Sequence, residues 1–468
     1  MSWDRRTPKQ LAALQASALK TQVVDGVAPF SPFWRARLKA LGTTGSKVAT
    51  PAALATLPAV GERVVCTDGE PAGAAALVLQ AGESGWALHA EGPRLRKALA
   101  SRLLRPGSYR AVIEADTRPT SYVFAGLGLR WPVASTRSDL DVVARAGARL
   151  WQVLGLTRSD VLVCALPLTP TASLQALQLG AIGAGSPALF PGDDAEDVAA
   201  ALQLVPATVL ACEASAAAHL LDDLDEAGAS LAAVTTVLVV GAPSAEERAA
   251  LDQALGRVGV RAKVLAVHCP DGHRLLWGEC REGGPGLHTY PDLELVQLVD
   301  PETGETAEGS RRGGGRYEVV LTQLGLRGSA LLRWRTADLA DSLETAACPG
   351  CGRTVPRVVG VQRRALVPEL ELRSGPRGVD LRGVCAALVG RADVVDWRVV
   401  VGPSGRRDAW DVIVHVVPDP AEDITDVAVA VARDVRSAAG LLPTQVVINE
   451  PGTLPDGTPI AGRVHARA

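Results

Sequence analysis

Lysine is scarce in this chain. Six occur among 468 residues, and none follows Lys263. Everything beyond that point therefore lacks a side-chain amine, which excludes lysine point-charge chemistry there. Aromatic residues make up only 4% and methionine occurs once, so the core must be built from Ala, Val and Leu, which dominate a 47% hydrophobic composition. Charge of one sign is also missing. The net charge is −3 with both signs interspersed, which excludes a phosphate-backbone partner such as nucleic acid. Eight cysteines in so long a chain do not form a disulfide framework. No apolar run is long enough to span a bilayer, and Met1–Pro8 is polar and charged rather than an apolar signal. The expectation is a cytoplasmic protein with no membrane partner.

What is present is a large α/β pattern. Apolar runs at Val161–Leu166, Ala188–Phe190, Val209–Leu210, Val234–Val240 and Ala262–Val267 predict buried strands. Helical patterns lie between or before them at Leu140–Leu154, Leu174–Ala184, Asp194–Leu204, Ala214–Ala227 and Ala245–Val258. That alternation predicts a mostly parallel sheet over 61–285. Residues 8–40 read as helical, and Thr50–Leu57 as a short helix entered at a Thr-Pro cap. Trp86–His89 and Val112–Ala115 read as short strands. From 286 the pattern becomes β-rich, with strands at Leu293–Leu298, Tyr317–Leu321 and Leu331–Trp334. Turns are expected at Asp300–Gly304 and Gly313–Gly315. The reading is a large domain over 1–357, with its β-rich part at 286–357, and a small α+β domain over 358–468. The small domain carries strands Trp397–Val401, Val412–Val416 and Gln445–Ile448 and helix Ile424–Ala438.

Cys348-Pro349-Gly350-Cys351 is a C-x-x-C turn, which can aim two thiolates at one metal ion. Cys280 and His288 flank a Gly-Gly-Pro-Gly turn upstream. Together the four suit a closed, tetrahedral, structural Zn²⁺ site. The spacing leaves a second reading open, a reduced cysteine pair beside two unrelated residues. The remaining cysteines (Cys66, Cys164, Cys212, Cys269 and Cys385) lie mostly in apolar runs and read as core. His268 and His273 follow the Ala262–Val267 strand and read as solvated loop residues, with a ligand role the alternative.

Three stretches resemble one family. Leu321-Thr322-Gln323-Leu324, then Leu331–Leu339 and Cys348–Arg357, are similar to "L-T-N-L … P-L-I-R-Y-R-T-G-D-L … C-x-C-G-R-T-x-P-R". Gly286-Leu287-His288 with Leu295–Glu305 is similar to "G-L-H … V-E-V-I-D-P-E-T-G-E", and Leu11–Leu57 resembles the opening helices. This is the signature of the phenylacetate–CoA ligase branch of the adenylate-forming (acyl-CoA synthetase) superfamily. The resemblance spans nearly the whole chain. It implies an adenylate-forming fold and, for an active member, ATP with Mg²⁺, CoA and a carboxylic acid. It also implies that Asp338 binds the ribose hydroxyls, and it supports the metal set, since some members hold a structural metal at matching positions.

The same comparison finds the nucleotide chemistry worn away. The phosphate loop falls at Ala125–Pro132, where Gly126 and Gly128 remain, every hydroxyl is gone and Arg130 is the only cation. At the counterpart of Y-G-x-T-E stands Val267-His268-Cys269-Pro270-Asp271, with Asp271 at the Mg²⁺-binding Glu. Gly241-Ala242-Pro243 stands for G-A-E-P, and Ala337 for the glycine of R-T-G-D. The hinge acidic pair is missing from Val361–Ala365, although Arg377-Gly378-Val379-Asp380 still resembles the domain's R-G-V-N. Ile460 takes the place of the tail lysine, with Arg463 the nearest cation. Gly42–Lys47 has a phosphate-loop composition, but no strand precedes it and it is not taken as a site. The expectation is a catalytically silent member with a binding or regulatory role, as a homo-oligomer or beside an active paralogue. The alternatives are an aryl- or acyl-acid–CoA ligase using Asp338, Asp271 and Arg130, or a non-catalytic binder of CoA thioesters.

Overall fold

The computed structural model describes residues 3–61, 73–89, 92–104, 106–125, 131–301, 304–307, 317–363, 369–372, 375–378, 381–388, 391, 393–404, 410–439, 442–455, 458–461 and 464–466. Cys66, the glycines of the expected phosphate loop, Arg130, the Gly313–Gly315 turn, Asp380 and Arg463 lie outside the described residues. The chain packs as two compact units. One comprises 1–162, 167–190 and 265–361; the other comprises 163–166, 191–264 and 362–468.

In the first unit the opening helices Pro8–Lys20 and Pro32–Ala40 are continuous through a π-helical Thr21–Val27 and break only at Ser31, whose side chain caps Trp34 N. Their apolar faces meet Trp131, Trp334, Leu331 and Leu332 in one core. The strands Pro119–Ala125 and Trp131–Thr136 form an antiparallel hairpin with Ala125 opposite Trp131. Helix Arg137–Val153 follows directly and packs on helix Ala172–Ala184. There Gly147 meets Gly180, because a Cβ on Gly147 would lie 2.2 Å from the Gly180 Cα. Strands Glu294–Val299, Tyr317–Gln323 and Trp334–Ala340 form an antiparallel meander. Strands Trp277–Gly278, Leu287–His288, Arg357–Val359 and Ser342–Glu344 pair antiparallel in succession after Lys263–His268.

Local sequence misleads at three places. Trp86 and Val112 sit in helices Glu83–His89 and Pro106–Thr117, not strands. Their apolar side chains share a small helical cluster with Ala98 and Ile113. The strand expected at Leu331–Trp334 instead begins at Trp334. Arg333 carries φ +43° there, which no regular strand adopts.

In the second unit, strands Val209–Glu213 and Thr236–Val240 run parallel, accompanied by helices Ala195–Leu204, Ala217–Glu226 and Ala245–Arg257. Asp194 caps the first of these through Glu196 N and Asp197 N. Among the described residues, its C-terminal part holds a mixed five-stranded sheet. Val399 and Val401 face Val412, Val414 and Val416 at alternate positions, and Val427, Val431 and Val435 of helix Ile424–Ala439 cover them at helical spacing. Ile460 lies in strand Thr458–Ala461, at the irregularity between Pro459 and Ala461. No helix among the described residues is long and apolar enough to cross a membrane.

Candidate functional site

The expected ribose carboxylate sits on a deformed strand. Between Tyr317–Gln323 and Trp334–Ala340 the register slips, pairing Val320 with Arg335 but Glu318 with Leu339. The extra residues form a bulge in which Ala337 takes φ +54°. A side chain in that left-handed region costs about 1–2 kcal/mol relative to glycine. Asp338 shares the buried positions of the strand with Trp334, Thr336 and Ala340, and its N–H donates to Thr336 Oγ1 at 3.2 Å.

Asp338 is 1% exposed and His268 is 0% exposed. His268 Nε2 lies 2.8 Å from Asp338 Oδ2. A carboxylate oxygen that accepts requires the hydrogen on Nε2, and Nδ1 then stands buried without a partner. The expectation that His268 is solvated is wrong. It ends strand Lys263–His268, whose last four residues are all buried.

His273 is also buried rather than solvated. Its Nε2 meets Glu294 Oε2 at 2.5 Å, while Gln323 Nε2 donates to its Nδ1 at 3.3 Å. Glu294 Oε1 accepts from Trp277 Nε1 at 2.9 Å and Tyr290 N at 2.7 Å. Next to it Arg274 is fully buried and donates to Ala134 O, Asp139 Oδ2, Gln323 Oε1 and Ser329 O at 2.6–3.2 Å. Burial lowers its pKa, and Asp139 opposes that shift. Asp139 closes a capping box with Thr136 and accepts from Arg327 N and Gly328 N, both at 2.7 Å. Such a network fixes positions, and Arg274 Nε stands in it buried without a partner.

Asp271 is half-buried in the turn after Cys269-Pro270. The next residue, Gly272 (φ +71°), lies on the tryptophan pair: a Cβ there would come 2.7 Å from Trp334 Nε1 and 3.2 Å from Trp131. The two rings have centroids 4.9 Å apart. Trp131, expected as part of the phosphate loop, is thus core and opens strand Trp131–Thr136.

The cysteines and histidine expected to hold metal converge. Ligand atoms of Cys280, His288, Cys348 and Cys351 all lie within 4.8 Å of one another. Cys280 Sγ is 3.8 Å from Cys348 Sγ, and Cys351 Sγ is 3.6 Å from His288 Nε2. Tetrahedral bonds of zinc to sulfur and nitrogen require edges of about 3.8 and 3.6 Å, so the donor set fits the ion. Burial pushes the Cys280 thiol up to about 12. For Cys348 burial acts upward too, but the N–H groups of Cys351 and Gly350 and the neighbouring thiols bring it below the ordinary value. His288 is held down at about 4 by burial, then by Arg353 and Arg357, which keeps its imidazole neutral and able to ligate. Gly284 packs so tightly here that a Cβ would lie 2.1 Å from Cys348 Sγ.

The buried pairs His268–Asp338 and His273–Glu294 were hidden from sequence. Their only local signal is that each histidine borders a strand or a tryptophan.

No family model matches the chain, and none of the curated proteins matches it. Solved structures do. A 2-hydroxyisobutyryl-CoA ligase in the postadenylation state aligns over 99% of this chain and 91% of its own, at 16% identity and TM-score 0.71. The anthranilate CoA ligase AuaEII with anthranoyl-AMP aligns over 74% of this chain and 66% of its own, at 16% identity and TM-score 0.51. ATP-bound MatB from Rhodopseudomonas palustris aligns over 75% and 67%, at 16% identity and TM-score 0.50. The likeness is one of fold: this chain has the α/β architecture of adenylate-forming acyl-CoA ligases, with a smaller C-terminal part.

Proposed function

We propose that this chain is a catalytically degenerate relative of phenylacetate–CoA ligases, braced by a structural zinc ion, with a binding or regulatory role in place of acid activation. The carrying observation is the His268–Asp338 pair. Ribose hydroxyls need an accessible carboxylate, and the one that the resemblance offers is buried against a histidine. In the register that puts Asp271 at the metal-binding Glu, His268 stands where the motif has glycine. A glycine there would leave the space that the imidazole fills.

The other sequence departures support the same reading. The phosphate loop is hydroxyl-free, and Ile460 stands at the lysine position. Without a lysine beyond Lys263, no ammonium from the C-terminal part can neutralise charge developing at a phosphate. The Cys280–His288–Cys348–Cys351 set would hold zinc with all positions filled, so the ion would brace the fold and offer no site to a water.

The ligand class that fits the role is an acyl or aryl acid or its CoA thioester, bound without chemistry; the fold neighbours include a ligase in complex with 2-HIB-AMP and CoA. A homo-oligomer or an active paralogue is the partner of a regulatory role. The deciding experiment is titration calorimetry with Mg-ATP together with ATP–pyrophosphate exchange over a panel of acids. The expected result is neither heat nor exchange; robust exchange with any acid would sink the reading.

A further inference from the structure

Residues 3–6 are fastened to the cysteine–histidine cluster at several points. Asp4 Oδ2 accepts from Arg353 Nε at 2.9 Å, in an ion pair with side chains only 10% and 12% exposed. The Asp4 carbonyl accepts from Thr354 N at 2.9 Å, and Thr354 Oγ1 donates to Arg6 O at 2.7 Å. Trp3 Nε1 donates to Gln152 Oε1 at 3.1 Å, and its ring lies under the Arg149 guanidinium at 4.9 Å. The same ring packs with Val153 against Cys280, Cys348 and Cys351.

Arg353 is common to both sides. It binds Asp4, donates through Nη2 to Gln152 O at 2.8 Å, and hydrogen-bonds the Cys351 side chain. Its position depends on the cysteine turn, which closes through Cys348 N to Arg353 O and Gly352 N to Cys348 O, both at 2.8 Å. A bound metal would cross-link that turn to Cys280 and His288. Without it, the turn keeps those backbone bonds but loses the bonds through the ion to Cys280 and His288.

We propose that metal occupancy and docking of residues 3–6 form one coupled equilibrium, with Arg353 as the coupling residue. With metal bound the segment is clasped; with metal removed it is released. The proposal rests on the metal reading above. Linkage makes the coupling reciprocal: whatever undocks the segment must weaken the metal by the same factor.

Trypsin tests it, because Arg5 and Arg6 lie inside the clasp. The full chain is digested as purified and after chelation, with elemental analysis for metal and mass spectrometry for products. Loss of residues 1–6 is expected to accelerate about tenfold on chelation, with smaller changes at other sites. Asp4→Asn should give the same rapid loss with metal still bound, and should lower the equilibrium metal affinity, read by competition with a chromogenic chelator, about tenfold. If chelation unfolds the chain and every site is cut, the two Asp4→Asn measurements decide. Unchanged cleavage in protein shown to have lost its metal, or wild-type metal affinity in Asp4→Asn, overturns the coupling and leaves the metal centre standing. A chain that neither holds nor takes up metal removes both.

Discussion

His268 and Asp338 are seventy residues apart in sequence and 2.8 Å apart in the fold, each buried on all sides. Removing either partner leaves the other buried without that hydrogen bond. Asp338→Ala should therefore destabilise by about 1–3 kcal/mol, read from denaturant midpoints. In a double-mutant cycle with His268→Ala the effects should fall short of additive by a similar amount. Full additivity would mean that the two side chains do not hold each other.

The same pair predicts a gain of function. His268→Gly clears the space beside Asp338 while keeping the carboxylate. AMP affinity should rise at least about tenfold over the parent chain, equivalent to 1.4 kcal/mol, and Asp338→Asn in that background should abolish the gain. Parent protein that already binds AMP as well as the variant would show that His268 closes nothing.

Ala337 gives a test in the opposite direction. Its φ of +54° is strained for any residue with a Cβ. Ala337→Gly should raise stability by up to about 1 kcal/mol, since relief of strain exceeds the added chain entropy of glycine. A drop in the thermal midpoint would show that the alanine methyl packs more favourably than its backbone suffers.

These cases mark where sequence reading succeeds. The strands at 162–165, 209–213, 236–240 and 263–268 are legible because a buried parallel sheet needs unbroken apolar runs, a local property. Cys348 and Cys351 are legible because one turn sets their spacing, and family resemblance supports Cys280 and His288 beside them. His268 and His273 are not legible, since what buries them is a carboxylate on a distant strand. Helices Glu83–His89 and Pro106–Thr117 fail for a related reason. Their few apolar residues meet each other only after folding, and a short window reads them as strand.

Gly284 reports on the metal cluster from its backbone, whose N–H donates to Cys280 Sγ at 3.3 Å. A methyl there would fall 2.1 Å from Cys348 Sγ, so sulfur or backbone must move. Gly284→Ala is expected to reduce zinc content and lower the thermal midpoint, much as Cys348→Ser does. Full metal content with unchanged stability in Gly284→Ala would mean that the cluster tolerates a displacement zinc geometry forbids.

Acid should act on the same cluster through His288. In the folded chain, burial and then Arg353 and Arg357 hold it at about 4, against an ordinary 6.5. The unfolded chain therefore takes up the proton first as pH falls, and protonation favours unfolding. The stability is fully present above about pH 6.5 and drains as pH falls toward 4, by on the order of 3 kcal/mol. Protons also compete with metal for the imidazole and the thiolates, which acts in the same direction. Thermal midpoint and metal content should thus fall together across that window. In His288→Gln the midpoint should begin lower and vary less with pH, because the group that titrates is gone. An equally steep pH dependence in that variant would assign the acid sensitivity to other groups and leave His288 without the role the geometry gives it.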